Sequence, residues 1–547
     1  MCAAPSSRTL LKRQRLAVER LRSQLAEADG SRDHPYFRPL STWPRSAGES
    51  LDAEELAEVC ASRSLVYVGD YHAVPGYQTY TAELLRRLAS RRKDVILGVE
   101  FVFTRQQRTL DHLQSGLLTD EEFRQRIHYR DDWGYPWEGF GALLSAAREC
   151  DVPVLALDTP PRRGLGGLKR RDDHAARRIV SILRERPDAC LMVFFGESHL
   201  APAHLPRRVQ ARLGRAGLEA DGVTVLQNPD PLYWKLVAEG RQLDRPVRVD
   251  ESTYAVFHLS PLQKYEAYRQ VLERWAGDVP SDEEVDLTPA VHHLVGVLLG
   301  WLGIRADRHR LNHQAGWAED LEDAFPEVYA GPEATELLGP ILEEYGRVPE
   351  EIDEARRLLE ARGALFDPRC NAMFLSRYVP GRAAGEAARF LRAALTGRLF
   401  IANDDYRGHL LPSVYGAAYN EALAYLGARL VDPATDYLLG SPGEGEGVEA
   451  PGPEVRGVLA AHREFEQGSR RVALPAALRK ELEGSRRLRR AAARDIGDRL
   501  GRRLLEQVRQ GSLDRRRLRH LFSRPVSPVR AARIVLGLLR EPRESVA

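Results

Sequence analysis

No apolar run in this chain is long enough to cross a bilayer. The longest, residues 294–302, is interrupted by Gly296 and Gly300. Cysteine is scarce, with 5 in 547 residues and no Cys-X-X-Cys pair. An odd, thinly spread set excludes a disulfide framework in a chain this long. Cys2 follows Met1 with no apolar segment before it, so neither a lipoprotein cysteine nor a secretion signal is expected, and the expected compartment is the cytoplasm. Charge of one sign is missing too: the net charge is +2, which gives no global field for nucleic acid or membrane. The chain contains no P-loop, Gly-X-Ser-X-Gly, His-Glu-X-X-His or dinucleotide fingerprint. Gly164-Leu165-Gly166-Gly167 does not follow a strand directly, so its position is wrong for a phosphate loop.

One short pattern occurs twice. Leu65-Val66-Tyr67-Val68 runs into Gly69-Asp70-Tyr71-His72, and Leu191-Met192-Val193-Phe194-Phe195 runs into Gly196-Glu197-Ser198-His199. Each is an apolar run of the kind buried on both faces of a parallel sheet, ending in Gly-acid-X-His. Between them, Val95-Ile96-Leu97-Gly98-Val99 ends in Glu100, and Leu155-Ala156-Leu157 ends in Asp158. Strands are expected at 65–69, 94–99, 152–157, 189–195 and 222–226. Helix-length segments lie between them, which predicts an α/β domain with a parallel sheet covered by helices.

Outside this stretch the organisation changes. Residues 8–27 have the spacing of an amphipathic helix, and 29–48 are rich in Pro, Gly, Ser and Arg, as in a linker or extended arm. After Trp234 the strand signal fades, and helical periodicity dominates to the end. The loop 441–453 is dense in Gly, Glu and Pro. The expected division is 1–50 (helix and linker), 51–240 (α/β domain) and 241–547 (a mainly α-helical region, one subdomain or two).

The strand ends carry the candidate chemistry. His72 and His199 offer imidazole nitrogens as bases or metal ligands. Asp70, Glu100 and Glu197 are able to ligate, to orient a histidine or to take a proton. Two histidines with carboxylates suit a divalent transition metal without selecting one. In open α/β sheets the carboxyl ends of the strands share one rim, so His72, Glu100, Glu197 and His199 are expected to converge there. Asp70 and Asp158 are then expected to orient the imidazoles. The aromatic turn at 131–137 serves equally well as a pocket wall or as a loop pinned into the core. His309 and His313 have a metal spacing but no evident third ligand. The arginine-rich run at 486–517 is interspersed with acids and reads as a solvated helix face rather than a nucleic-acid stripe.

Taken in order, these residues resemble the ChaN family. The series is Gly-acid-X-His, Gly-X-Glu at Gly98–Glu100, Asp158, then Arg171-Asp172 with Ala176 at a helix start, then Gly-Glu-Ser-His. The resemblance covers about residues 51–235, and the wider superfamily includes the Tiki and TraB proteins and the erythromycin esterases. It implies a crevice that binds haem or iron, with Asp70, Asp158, Arg171 and Asp172 among the cofactor-binding residues. The alternative it implies is a metal-dependent hydrolase of an ester or peptide bond. In that case His72, His199 and Glu100 hold the metal, and Glu100 or Glu197 activates water. The expected partner is haem or a small molecule. The sequence leaves open the oligomeric state and the task of the helical region. Three departures stand out: Asp70 in place of the family's usual Glu, no lipobox, and the long helical addition.

Overall fold

The computed structural model describes residues 7–31, 34–39, 43–44, 46–162, 167–241, 243–277, 286–312, 318–399, 410–433, 453–468, 476–526 and 528–539. The chain divides into two compact units, Arg15–Val285 and a second made of Met1–Gln14 with Asp286–Ala547.

The first unit is built on a seven-stranded sheet. Its strands are β1 (Leu65–Asp70), β2 (Val95–Phe103), β3 (Val154–Asp158), β4 (Cys190–Gly196), β5 (Gly222–Gln227), β6 (Val247–Arg248) and β7 (Thr253–Val256). Their order is β3-β2-β4-β1-β5-β7-β6, with every pairing parallel except β6 with β7. Alternate residues explain the covered sheet. Val66, Val68, Met192 and Phe194 enter one core with Leu84, Leu88 and Phe140 from the helices Pro75–Arg91 and Trp137–Glu149. Leu65, Tyr67, Leu191 and Val193 enter another, with Ile179 and Leu183 from Leu168–Glu185 and Val209 from Leu205–Ala216. Both faces are therefore apolar, and the strands read as continuous apolar runs.

The connections position the site. From β1 the chain passes through Pro75–Arg91 on one face toward β2, and from β4 it passes through Leu205–Ala216 on the opposite face to β5. β1 and β4 are neighbours, with Asp70 opposite Gly196. Connections that leave adjacent strands toward opposite faces open a crevice at their carboxyl ends.

The sheet continues past the expected boundary at residue 240. β7 pairs with β5 in parallel, and the helix Pro261–Ala276, capped by Ser260, belongs to the same unit. The strand signal was lost there because β6 and β7 have only 2 and 4 residues, too few to show a period.

The second unit is mainly helical but not only so. β10 (Glu327–Ala330), β11 (Leu365–Asp367) and β12 (Ala372–Leu375) form a three-stranded sheet, and β8 (Arg310–Asn312) pairs with β9 (Ala318–Asp320). Toward the end of the chain two helices follow each other, Ala476–Gly484 and Arg486–Gln510, the latter capped by Ser485. Gly164–Gly166, His313 and residues 441–452 lie outside the described residues. Among the described residues no helix is long and apolar enough to cross a membrane.

Candidate functional site

A cavity of about 1120 Å³ opens at the carboxyl ends of β1 and β4, bordered by Asp70, His72, Glu100, Arg171, Glu197 and His199. The two Gly-acid-X-His segments meet there but are wired differently. After β1, the Asp70 carboxylate lies 2.6 Å from His72 Nδ1 and accepts a 2.6 Å hydrogen bond from Gln78 Nε2. This fixes the imidazole with Nδ1 toward Asp70 and leaves Nε2 as its other face. Burial opposes a charge on His72, but Asp70 and then Glu100 outweigh it, and the imidazole pKa is raised. Burial pushes the Asp70 carboxyl up, against the pull of His72.

After β4 the acid does not serve its own histidine. Glu197 accepts from Lys264 Nζ at 2.8 and 3.0 Å, and Lys264 lies 3.7 Å from Asp230. His199 instead takes Asp172, with Nδ1 2.6 Å from Asp172 Oδ1. Asp172 is fully buried on the helix Leu168–Glu185, where Ala175 and Ala176 let the helix approach the sheet closely. Burial pushes the Glu197 carboxyl up, against Lys264. Burial also opposes the Lys264 charge, but Glu197 and Asp230 outweigh it and raise its pKa.

Glu100 stands between the two imidazoles. His199 Nε2 is 3.7 Å from Glu100 Oε1. A Cβ at Gly196 would meet His72 Nε2 and Glu100 Oε2, each at 3.2 Å, so the glycine leaves room for His72 and Glu100 to close on the strand end. The carboxylate also accepts from the Gly196 N–H and from Arg171. Burial would push Glu100 up, but Arg171, His72, His199 and that N–H hold it well below the usual carboxylate range. Arg171 donates to Asp158 as well, at 2.9 Å from both Nε and one terminal nitrogen. Asp158 also accepts from Arg162 Nε at 2.8 Å. Asp158 thus anchors two guanidinium groups and neither imidazole. Arg162 lies between the rings of Phe103 and Trp133, 4.0 and 4.5 Å from their centroids.

The aromatic turn is a wall of the cavity. The His72 ring packs on Trp133 and Tyr135, centroids 4.4 and 5.0 Å apart, and Tyr135 meets Trp275 at 5.1 Å. Trp133 also contacts Phe140, so the turn is anchored to the core as well.

The structure therefore brings together His72, His199, Glu100, Asp70, Arg171 and Asp172, and turns Glu197 and Asp158 to other partners. Among the described residues no group of three or more His, Cys, Asp or Glu is arranged to hold a metal ion. His72 and His199 each turn Nδ1 to an Asp and Glu100 accepts from Arg171, so every member of the expected trio of His72, His199 and Glu100 already has a polar partner. Three participants were missed in the sequence. Tyr36 donates to both oxygens of Asp172 and lies 2.8 Å from His199 Nδ1. Lys264 and Arg162 are the other two. None of the three lies in a motif, and only pairing across more than 60 residues reveals Tyr36 and Lys264.

No curated protein matches the chain. Among solved structures, it is similar to a ChaN of Campylobacter jejuni with cofacial haem binding, at 10% identity and a TM-score of 0.25 over 33% of this chain and 87% of that one. It is also similar to the type III effector HopBA1, at 15% identity and a TM-score of 0.27 over 40% of this chain and 99% of that one. The C-terminal region of Pasteurella multocida toxin, described as having a thiol-protease-like triad, matches at 13% identity and a TM-score of 0.22, covering 32% of this chain and 26% of that one. Residues 56–164 carry β1 to β3, the first Gly-acid-X-His segment and Glu100, and through them the chain matches the family described as haem-binding uptake, Tiki superfamily, ChaN.

Proposed function

We propose that the cavity at the ends of β1 and β4 binds haem, with His72 as the residue that holds the iron. The observation that carries this reading is the setting of His72. Its Nδ1 is tied to Asp70, the arrangement by which a carboxylate orients and strengthens an imidazole ligand. Its ring borders a cavity of about 1120 Å³ with Trp133, Tyr135 and Trp275 on the wall, and such a volume admits a large flat ligand. The donor chemistry and the walls fit the group: one imidazole for the iron, flat aromatic surfaces for the ring, and an exposed cationic side chain, Arg22, on the border for carboxylates. The iron would supply the redox and ligand chemistry. The described cysteines are all unpaired thiols, which suits the reducing cytoplasm. The test is a titration of the purified protein with haemin, followed by absorbance. A Soret band that saturates at a fixed stoichiometry supports the reading, and a spectrum equal to that of free haemin refutes it.

A second reading has its own observation. Two imidazoles, each fixed by a buried Asp, flank one carboxylate held ionised by Arg171. That is an acid–base constellation suited to hydrolysis of an ester or amide. The residues support activation of water by imidazole or carboxylate. Hydrolysis of a chromogenic ester series in excess chelator, lost in Glu100→Gln, would establish it. Equal rates in Glu100→Gln and wild type would dismiss it.

A further inference from the structure

We infer that Tyr36 is a positioning residue of the site, so that the segment before the first strand completes the crevice rather than linking to it. The inference rests on the reading that His199 serves this crevice. Tyr36 is 4% exposed, although it stands in His34-Pro35-Tyr36-Phe37-Arg38-Pro39, within a stretch that has the composition of a linker. Its hydroxyl reaches Asp172 Oδ1 at 3.0 Å and Oδ2 at 2.9 Å, and His199 Nδ1 at 2.8 Å. Tyrosine donates its one proton to the carboxylate, and its oxygen lies beside the Nδ1–H that His199 directs to the same carboxylate. Burial, and then Asp172 beside it, raise the phenol pKa, so Tyr36 is a standing donor.

The ring is aimed as carefully as the hydroxyl. It stacks on His204 at 3.9 Å and 13°, and meets His199 edge-on at 5.6 Å. His204 Nδ1 donates in turn to the carbonyl of Ser198, inside the second Gly-acid-X-His segment, at 2.8 Å. The chain is thus closed: Ser198 holds His204, His204 holds Tyr36, and Tyr36 holds Asp172 against His199. A buried carboxylate with two donors is costly to leave with one, because its desolvation is no longer offset. The first histidine is supported differently: Asp70 takes an amide, Gln78, in the place where Asp172 takes a phenol. Tyr36 also lies outside residues 56–164, the matched segment, so this half of the crevice is supplied from beyond it.

The test reads the histidines directly and needs no ligand. In protein labelled with ¹⁵N at histidine, the short bonds of His72 to Asp70 and of His199 to Asp172 each give a far-downfield Nδ1–H signal, assigned by His72→Gln and His199→Gln. The full-length Tyr36→Phe protein keeps the stack on His204 and lacks only the hydroxyl. The expected result is a displaced or broadened His199 signal with the His72 signal in place. A fluorotyrosine at position 36 keeps ring and hydroxyl but donates more strongly, and it is expected to move the His199 signal the opposite way. It decides alone if Tyr36→Phe does not fold. A His199 signal unmoved by fluorotyrosine, or one that moves only together with the His72 signal, overturns the inference. The haem reading falls separately: if haemin fails to bind wild type while the His199 signal still responds to position 36, Tyr36 keeps its role and only the ligand changes.

Discussion

The end of β1 and the end of β4 have nearly the same sequence and do different work. At the first, acid and histidine pair with each other, Asp70 with His72. At the second they part: Glu197 goes to Lys264 on the helix Pro261–Ala276, and His199 takes Asp172 from the helix Leu168–Glu185. The difference lies in reach and register. Asp70 is the last residue of β1, opposite Gly196, with a short side chain that stays beside its own loop. Glu197 is one residue beyond β4, has one more methylene, and finds a buried ammonium within 3 Å. The repeated motif therefore specifies where two histidines emerge, while the surrounding helices decide which carboxylate orients each.

The largest effect is expected at the residue shared by both ends. Arg171 is buried between Glu100 and Asp158, and Arg171→Met would take from Glu100's carboxylate the only guanidinium it has among the described residues and leave Asp158 with Arg162 alone. Breaking such a pair costs about 3–5 kcal/mol, to be read from the denaturant midpoint. If the loss is under about 1 kcal/mol, the carboxylates are paired some other way.

Next in size is an acid dependence. Glu100 in the folded protein titrates below its ordinary value of 4.5. A depressed folded pKa contributes stability that is complete above 4.5 and is lost as pH falls through the lower folded value. At about 1.4 kcal/mol per unit, this amounts to roughly 2–3 kcal/mol between about pH 5 and pH 2. Glu100→Gln should flatten that slope, measured by urea unfolding at each pH. An unchanged slope would mean that Glu100 is not the titrating group.

The two ends are then set directly against each other. Asp70→Asn, which loosens the orientation of His72, should lower haem affinity by about tenfold or more. Glu197→Gln, which disturbs only the Lys264 pair, should leave it within about threefold of wild type, since it orients no imidazole. Equal losses would erase the distinction between the ends. The smallest effect is expected at His309, half-buried in the second unit, where His309→Ala should not change haem binding at all.

Much of this was legible before the structure. The apolar runs ending in Gly-acid-X-His gave β1 and β4, and Val95 to Glu100 gave the strand between them in sequence, because strands covered on both faces write themselves as unbroken apolar residues. What stayed hidden was pairing at a distance. Nothing adjacent to Lys264 signals Glu197, which is 67 residues away, and Tyr36 is 136 residues from Asp172. Asp158 sits at a strand end, as expected of a residue at the rim, yet two arginines claim it, one of them Arg162 from the loop that follows β3. β6 and β7 escaped because strands of 2 and 4 residues carry no readable period.

The central claim is that two histidines delivered by adjacent strands serve one ligand cavity. A haemin titration of wild type beside the His72→Ala, His199→Ala double variant tests it most directly, with His309→Ala as the control. The account predicts saturable binding by wild type and by the control, and affinity lower by about tenfold or more in the double variant. Equal affinity in all three proteins would contradict it.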